Sequence, residues 1–237
     1  MSTIPLVLIH HAGGSAAVFQ PLLRALPADC EVRTVELPGH GRQWRLEPEV
    51  AVDDAVTRLV EAVDGITGDF GIFGHSLGAY LGLALAARLE RTVGPARCAV
   101  LFASANAAPS EARLSFERSP LGVTDEEIFE ITRSAGGGVS RQLIANEKLR
   151  TRTADLLRAD FSISSTFLET RRHTVTEADI VACYGTDDIF TEGQIKAWER
   201  HTTGEFESHA FTGGHFYLAD ESEPLAQLVA QALGRAR

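Results

Sequence analysis

The sequence has few cysteines and no long hydrophobic run. Its three cysteines, Cys30, Cys98 and Cys183, are widely spaced among 237 residues, and each lies in or beside an apolar segment. An odd, scattered set is typical of reduced core residues in a cytoplasmic protein and argues against a disulfide framework or a cysteine metal site. No stretch approaches the length of a membrane span, and no basic start followed by an apolar segment indicates a signal peptide. We therefore expect a cytoplasmic protein that does not associate with a membrane.

The sequence is also poor in positive charge. It has 22 Lys and Arg residues against 32 Asp and Glu residues, which gives a formal net charge of −10. Because a protein that binds nucleic acid needs a basic surface for the phosphates, nucleic acid is not an expected partner. The sequence contains no internal repeat and no low-complexity tract, and its length suits one sizeable domain.

Strand-like apolar segments alternate with helical segments along the chain. This alternation predicts an α/β fold in which residues 1–237 form a single domain, with a mostly parallel central sheet and helices on both of its faces. Strands are predicted near residues 5–10, 31–36, 69–74, 98–104, 179–184 and 206–211. Helices are predicted near residues 16–26, 51–65, 77–91, 192–201 and 222–235.

The most informative local signal is the Gly-x-Ser-x-Gly motif at residues 74–78. An apolar segment precedes it as a predicted strand, and an Ala- and Leu-rich segment follows it as a predicted helix. Between a strand and a helix, this motif is the nucleophile elbow of α/β-hydrolases, a sharp turn that exposes a strained serine. Its glycines are needed because a Cβ there would collide with the neighbouring strand and helix. Ser76 is therefore the predicted nucleophile, and the alternative is a Gly-rich turn without a chemical role.

A nucleophilic serine needs a histidine as its base and a carboxylate that orients the histidine. In α/β-hydrolases the chain order is Ser, then Asp or Glu, then His. The strand predicted at 206–211 ends at a Gly-Gly turn followed by His215, which we predict to be the base. Two adjacent acids follow the strand predicted at 179–184. The Gly-x-x-Asp spacing favours Asp188 as the acid, and Asp187 stays open as the alternative.

The other histidines suit the role of base less well. His75 lies inside the elbow, and we expect it to pack away from the reacting face of the nucleophile. His40 follows the second strand and precedes the serine, which is the wrong chain order for the base. The remaining candidates, His173, His201 and His209, are interpreted as solvated or partly buried side chains.

Two backbone N–H groups are predicted to form an oxyanion hole. One belongs to the residue after the nucleophile, Leu77, and the other to the loop after the first strand. That loop is the Gly-containing segment 10–14, where Ala12 N–H is the expected donor because glycines let the backbone approach a ligand closely. Chemistry of this kind requires no metal ion and no other cofactor, so none is expected.

A long segment without a clear strand, at about 108–175, separates the fourth and fifth predicted strands. Helices are predicted at 125–131, with Thr124 as a possible N-cap, and from about 147 to 158. A helical insertion of this length before the acid-bearing strand is interpreted as a lid over the active site, with Gly136–Gly138 as a hinge. The alternative is an ordinary helical excursion that does not move.

Several motifs in a fixed order identify a family that the chain resembles. These are the type II thioesterases, the stand-alone editing enzymes of polyketide and nonribosomal peptide synthesis. The resemblance spans essentially the whole chain, and its most specific stretches are Leu-Arg-Ala-Asp-Phe at 157–161 and Gly-Gly-His-Phe at 213–216. The expected order also contains His-Ala-Gly-Gly-Ser at 11–15, Leu-Pro-Gly at 37–39, the elbow at 74–78, Ala-Trp at 197–198 and His-Thr-Thr-Gly at 201–204.

Two positions depart from the pattern of this family. Members usually carry a proline after the catalytic aspartate and one more residue before the following Val-Thr, whereas Asp188 is followed directly by Ile-Phe-Thr at 189–191. This departure is the reason that Asp187 stays open. The second departure is His10, which stands where a proline often precedes His-Ala-Gly-Gly, and we expect it to alter only the shape of the entrance.

The resemblance implies that the protein hydrolyses acyl thioesters carried on the phosphopantetheine arm of acyl or peptidyl carrier proteins. Nothing in the sequence requires oligomerisation, so a monomer is expected. Carrier domains are often acidic and so is this chain, so we predict a basic patch near the lid entrance, formed by Arg113, Arg118, Arg171 and Arg172. The alternative functions are a general carboxylesterase, a non-catalytic binding module on the same fold, and a chain-releasing cyclase.

Overall fold

A six-stranded parallel sheet forms the centre of the molecule. The computed structural model describes residues 4–92, 96–113, 119–139 and 145–235. The strands are β1 (Leu6–Ile9), β2 (Val32–Val35), β3 (Gly68–His75), β4 (Ala96–Ser104), β5 (Asp179–Gly185) and β6 (Phe206–Phe211). Their order in the sheet is β2-β1-β3-β4-β5-β6, and every neighbouring pair is parallel. The predicted parallel sheet and each of its predicted strands are confirmed.

Helices connect the strands. They are α1 (Gln20–Ala25), α2 (Val52–Ala62), α3 (Leu77–Glu90), α4 (Asp125–Ser134), α5 (Glu147–Thr170), α6 (Glu192–Lys196) and α7 (Ser222–Arg235). A 3₁₀ turn at Ala16–Phe19 leads into α1, and another at Ala197–His201 follows α6. With these two turns included, the helices predicted near 16–26 and 192–201 are confirmed, as are those near 51–65, 77–91 and 222–235.

The two faces of the sheet carry separate parts of the hydrophobic core. In β1, Val7 and Ile9 pack on the side of α2 and α3, whereas Leu6 and Leu8 pack on the side of α1 and α7. Successive side chains of a strand point to opposite faces, so a strand covered on both sides is apolar at every position. This arrangement confirms the prediction of helices on both faces.

The helix that follows the predicted elbow is buried on all sides. Every residue of α3 from Leu77 to Ala87 is buried, which suits its Ala- and Leu-rich sequence, because a helix that is apolar all round belongs in a protein interior. Gly82 allows close contact with the sheet, since a Cβ there would lie 2.8 Å from Leu101 Cδ1. The sheet therefore fixes the position of the N-terminus of α3.

The topology places a crevice at the carboxyl end of the sheet. Strand β1 lies between β2 and β3, so the chain builds first toward one edge and then toward the other. In open parallel sheets, ligands bind outside the carboxyl ends of the strands at such a switch point. Ile9, at the end of β1, pairs with Val35 of β2 and with Gly74 of β3. The loops after β1, β2 and β3 therefore meet at this crevice.

The insertion between β4 and β5 contains α4 and α5. Thr124 and Glu127 form a capping box at the start of α4, as the sequence predicts for the cap. Helix α5 is longer than predicted, because it continues from 158 to Thr170. Its second half is held by contacts with the main core, where Ile163 and Phe167 are buried on one face of the helix. Packing compensates for the modest helix propensity of the serines and threonines in this stretch.

A hydrogen bond and an ion pair join α5 to the main body of the molecule. Thr166 Oγ1 accepts a hydrogen bond from the backbone N–H of Val52 at 3.0 Å, and Arg171 forms an ion pair with Asp53. Helix α4 is in turn attached to α5, because Arg158 forms an ion pair with Asp125 at 2.6 Å. The second half of α5 is thus part of the rigid body, and the interpretation of the insertion as a lid stays a prediction.

Two further expectations concern the cysteines and the membrane. Cys98 and Cys183 are buried in the core, and Cys30 is half-buried beside it. Within residues 4–92, 96–113, 119–139 and 145–235, no helix is both long enough and apolar enough to cross a membrane.

Candidate active site

Ser76 lies in a strained turn between β3 and α3. Its φ of 55° and ψ of −115° are unfavourable for a residue with a Cβ and are typical of a nucleophile elbow. A Cβ at Gly74 would lie 2.0 Å from the carbonyl oxygen of Gly78, and a Cβ at Gly78 would lie 2.1 Å from that of Ile9. The two glycines are therefore required by the close contacts of β3 and β1 with α3, as the sequence predicts.

Backbone and side-chain hydrogen bonds hold the elbow in place. The N–H of Ser76 donates to the carbonyl oxygen of Ser104 at 2.7 Å, and the Ser76 carbonyl accepts from Asn106 Nδ2 at 2.9 Å. Asn106 follows Ala105, which also has a positive φ of 51°. The sequence reasoning did not identify Asn106, although its position just after a buried parallel strand is a signal that could have found it.

Asp188 and His215 contact each other at the ends of β5 and β6. His215 Nδ1 lies 3.1 Å from Asp188 Oδ1 and 3.2 Å from Asp188 Oδ2. The side chain of Asp188 is 0% exposed and that of His215 is 6% exposed. Ile189 N–H donates to Asp188 Oδ1 at 2.7 Å and so fixes the carboxylate further. Asp187, by contrast, is exposed to solvent.

The Gly-Gly turn before His215 makes this contact possible. A Cβ at Gly185, the last residue of β5, would lie 2.3 Å from the carbonyl oxygens of both Gly213 and Gly214. Gly213 has a φ of +114°, which favours glycine, and its carbonyl accepts from the N–H of Asp187 at 2.8 Å. The loops that carry the acid and the histidine are thus packed backbone against backbone.

The predicted oxyanion loop lies on the other side of Ser76. Ala12 follows β1, and Leu77 is the first residue of α3, where backbone N–H groups have no partner within the helix. Gly13 has a φ of +71°, and a Cβ there would lie 2.8 Å from Leu157 Cδ2 of α5. Ala12 and Leu77 both line the cavity that Ser76 and His215 line.

That cavity has a volume of about 280 Å³ and is mostly apolar. Helix α5 supplies part of its wall, and the segment after β5 supplies another part. Its larger apolar side chains include Leu77, Tyr80, Leu157, Phe161, Leu168 and Phe190. A cavity with this lining suits an apolar group bound next to Ser76.

The glycines predicted as a hinge lie at the same cavity. Gly136 has a φ of +83°, and a Cβ there would lie 2.7 Å from His215 Cβ. Gly137 lines the cavity beside Thr132. The turn after α4 therefore packs directly on His215, and any movement of this turn would alter the surroundings of the histidine.

Two further histidines, His75 and His11, lie near His215. The ring of His75 lies 5.4 Å from that of His215 and 5.7 Å from that of His11. Burial, and then the charge of His215, lower the pKa of His75 well below its usual range. The same two causes lower the pKa of His11 to about 4. His75 Nδ1 lies 2.9 Å from Ser104 Oγ. His75 is thus a packed, neutral neighbour of His215.

His201 differs from the expectation that it is solvated or partly buried. It is buried, with Nδ1 2.8 Å from the carbonyl oxygen of Thr174, and its Nε2 accepts from the N–H of Ser110 at 3.2 Å. His173 is exposed to solvent and His209 is half-buried, and both agree with the expectation. Among the side chains that the structure describes, no group of three His, Cys, Asp or Glu residues is arranged to hold a metal ion.

The predicted basic patch is assembled only in part. Arg113 is exposed and lines the cavity. Arg171 forms an ion pair with an acid of α2, and Arg172 donates to two backbone carbonyls in the loop 109–112. Arg171 and Arg172 are therefore engaged in contacts within the chain. Arg118 lies outside the described residues.

Comparison with known proteins identifies relatives along the whole chain. The thioesterase domain model matches residues 4–233. Thioesterase PikA5 of Streptomyces venezuelae is 32% identical over 226 residues, which cover 93% of this chain and 77% of that protein. The crystal structure of ClbQ from the colibactin NRPS/PKS pathway has a TM-score of 0.85 at 26% identity, over 99% of this chain and 98% of that one. The type II thioesterase BorB from the borrelidin biosynthetic cluster has a TM-score of 0.77 at 28% identity, over 98% and 92%.

These similarities agree with the sheet order and with the turn at Ser76. The molecule is an α/β-hydrolase. Because the family model covers nearly all of the sequence, the chain belongs to the thioesterase family, and the resemblance noted from its motifs is confirmed.

Proposed function

We propose that this protein is a type II thioesterase that hydrolyses acyl thioesters on the phosphopantetheine arms of carrier proteins in polyketide or nonribosomal peptide biosynthesis. One observation carries the proposal. A strained serine and a histidine bonded to a buried carboxylate line the same largely apolar cavity. The relatives add support, because PikA5 is named a thioesterase and ClbQ belongs to an NRPS/PKS pathway.

In the proposed mechanism Ser76 is the nucleophile. The N–H at His215 Nδ1 donates a hydrogen bond to the carboxylate of Asp188, which leaves Nε2 free to accept the proton of Ser76 Oγ. As that proton moves, Oγ attacks the thioester carbonyl and the carbonyl oxygen becomes an oxyanion. The carboxylate of Asp188 holds the tautomer of His215 and stabilises the imidazolium that forms.

The N–H groups of Ala12 and Leu77 donate to the oxyanion, and one such donor is worth about 3–4 kcal/mol in the transition state. When the intermediate collapses, the C–S bond breaks and the pantetheine thiol leaves with the proton held by His215. His215 then deprotonates a water molecule, which attacks the ester on Ser76 and releases the carboxylic acid.

The cavity supports a division of the substrate into two parts. The apolar wall beside Ser76 suits the acyl chain, and the exposed Arg113 at the cavity suits the phosphate of the pantetheine arm. The carrier protein would dock outside the cavity, where Arg113 offsets part of the repulsion between two acidic proteins. We place this reaction in the cytoplasm, with the protein acting as a monomer.

The proposal is tested by offering one short acyl group in three forms: on a phosphopantetheinylated carrier protein, on N-acetylcysteamine, and as a p-nitrophenyl ester. Each kcat/KM is divided by the uncatalysed rate of the same substrate. We expect the carrier-bound thioester to exceed the N-acetylcysteamine thioester by roughly tenfold or more, because the phosphate and the carrier add binding energy. A value for the ester far above both thioesters would instead indicate a carboxylesterase. Absence of acid from all three would indicate a binding module.

A further inference from the structure

A second His–Asp pair is buried beside the proposed oxyanion loop. His40 lies on the loop after β2, and Asp160 lies on α5 within the Leu-Arg-Ala-Asp-Phe stretch. His40 Nε2 is 3.1 Å from Asp160 Oδ1, and the two side chains are 0% and 1% exposed. The mechanism above uses neither residue. A charged pair buried to this degree is costly unless every polar atom is bonded, so its contacts indicate what it does.

Both members of the pair bind the backbone that follows Ala12. The N–H of Gly13 donates to Asp160 Oδ2 at 2.6 Å. The carbonyl oxygen of Gly14 lies 2.7 Å from His40 Nδ1. The peptide group between Ala12 and Gly13 is therefore bound by a carboxylate. The peptide group between Gly14 and Ser15 is bound by an imidazole. These contacts hold the backbone directly after Ala12 and so restrict the orientations open to the Ala12 N–H.

The hydrogen bonds also define the charge of the pair. Each nitrogen of His40 faces an oxygen that accepts, so the ring donates twice and is an imidazolium opposite a carboxylate. Burial alone would lower the pKa of His40, but the charge and hydrogen bond of Asp160 outweigh it and raise the pKa. The ring of His10 lies 4.4 Å from that of His40, and burial lowers the pKa of His10 to about 3. The negative charge of Glu36 also raises the pKa of His40.

We propose that Asp160, together with His40, is a positioning residue for the oxyanion hole and couples α5 to the loop that carries Ala12. Asp160 lies on the same helix as Leu157 and Phe161, which line the cavity. An acyl group that packs against α5 thereby contacts the element that holds the oxyanion loop. The inference rests on the proposed role of Ala12.

Two variants test this role against a matched control. Asp160→Ala removes the acceptor for Gly13 N–H, and Asp160→Asn keeps an acceptor oxygen but loses the charge. Thr166→Val is the control, because it removes another hydrogen bond between α5 and the body, to Val52 N–H, without contact to the oxyanion loop. The measurements are kcat and KM on a short acyl N-acetylcysteamine thioester, the affinity for a trifluoromethyl ketone that forms a tetrahedral adduct, and thermal unfolding by circular dichroism.

We expect Asp160→Ala to lower kcat by ~10–100-fold with KM changed less than about twofold, since loss of a whole oxyanion donor costs ~10²–10³-fold. Affinity for the ketone should fall in parallel. Asp160→Asn should recover several-fold of the loss, and Thr166→Val should lower the melting temperature without changing kcat. If Asp160→Ala does not fold, Asp160→Asn carries the test, with an expected fall in kcat and in ketone affinity of ~3–10-fold.

The positioning role is wrong if the folded Asp160 variants keep the kcat and the ketone affinity of the wild type, or if Thr166→Val lowers both as much as they do. The proposed function fails in a different way, because the wild-type protein itself would then not hydrolyse the thioester. Adduct formation by the wild type does not depend on thioester turnover, so it tests the oxyanion hole in either case.

Discussion

Replacing Asp188 by asparagine is expected to lower kcat for thioester hydrolysis by about 10³–10⁴-fold. An amide at this position donates to His215 Nδ1 and forces the proton to Nε2, the nitrogen that must accept the proton of Ser76. Asp188 is held for its role by burial and by the N–H of Ile189. The measurement is kcat at saturating acyl-N-acetylcysteamine, with KM expected to change little because the carboxylate faces the histidine and not the cavity.

Asp187→Asn is the matched control, since it makes the same chemical change one residue away. The Asp187 side chain is exposed, and its backbone N–H contact with Gly213 survives the substitution. We expect a kcat within about twofold of the wild type. If Asp187→Asn inactivates the enzyme while Asp188→Asn does not, the assignment of the acid is reversed. That result would contradict the geometry on which the proposed mechanism depends.

The second large effect is a loss of stability in acid. Burial lowers the pKa of His10 to about 3 and that of His75 well below its usual value of 6.5, and burial lowers the pKa of His11 to about 4. Below pH 6.5 the unfolded chain therefore binds protons that the folded chain does not, so stability is present above this pH and is lost as the pH falls. Each fully neutral histidine costs about 2 kcal/mol between pH 7 and pH 5.

The pKa of His40 is shifted in the opposite direction, so His40 offsets part of this loss only above pH 6.5 and none of it below. Because that pKa is raised, its contribution is fully present below pH 6.5 and is lost only as the pH rises through the folded value. Urea unfolding of the wild type should thus show a midpoint that falls steeply from pH 7 to pH 5. His10→Gln keeps an acceptor for Leu37 N–H and a donor for the His11 carbonyl.

That variant should lose about 2 kcal/mol of the pH dependence of the unfolding free energy, which is the share of one histidine. If the dependence of the unfolding free energy on urea concentration is the same in both proteins, a change in midpoint reports a change in stability. A wild-type midpoint that stays constant between pH 7 and pH 5 would show that these histidines are not held neutral. It would also contradict the account of His75 as a neutral neighbour of His215.

The fold could be predicted because its signals are local. Parallel strands covered on both faces are continuous apolar runs, as in Leu6–Ile9, and such runs stand out between polar turns. The elbow is equally predictable, because only glycine fits the close steric contacts at Gly74 and Gly78. Helix α5 was predicted too short, since the extension to Thr170 depends on packing against the core and not on propensity.

The chain order of α/β-hydrolases predicts that Ser76, His215 and one of the two acids act together. In the structure, Ser76 and His215 line the same cavity. Which acid faces the histidine could not be decided from sequence, because Asp187 and Asp188 are adjacent in a loop. Only the course of that loop against Gly213 aims one carboxylate at His215 and leaves the other in solvent.

The pair of His40 and Asp160 could not be predicted at all. The two residues are 120 positions apart, and their contact arises from the packing of α5 over the loops after β1 and β2. Arg171 and Arg172 also make contacts within the chain that could not be predicted from the sequence. Their charge suggested a docking patch, yet an acid and two backbone carbonyls within the chain engage them.

The most direct test of the central claim is single-turnover release of acid from a short acyl group on a phosphopantetheinylated carrier protein. The comparison is between the wild type, Ser76→Ala, and Ser165→Ala, which removes another hydroxyl from the lining of the same cavity. We expect Ser76→Ala to fall by at least ~10³-fold and Ser165→Ala to stay within about twofold of the wild type. A folded Ser76→Ala protein that releases acid at the wild-type rate would contradict the account.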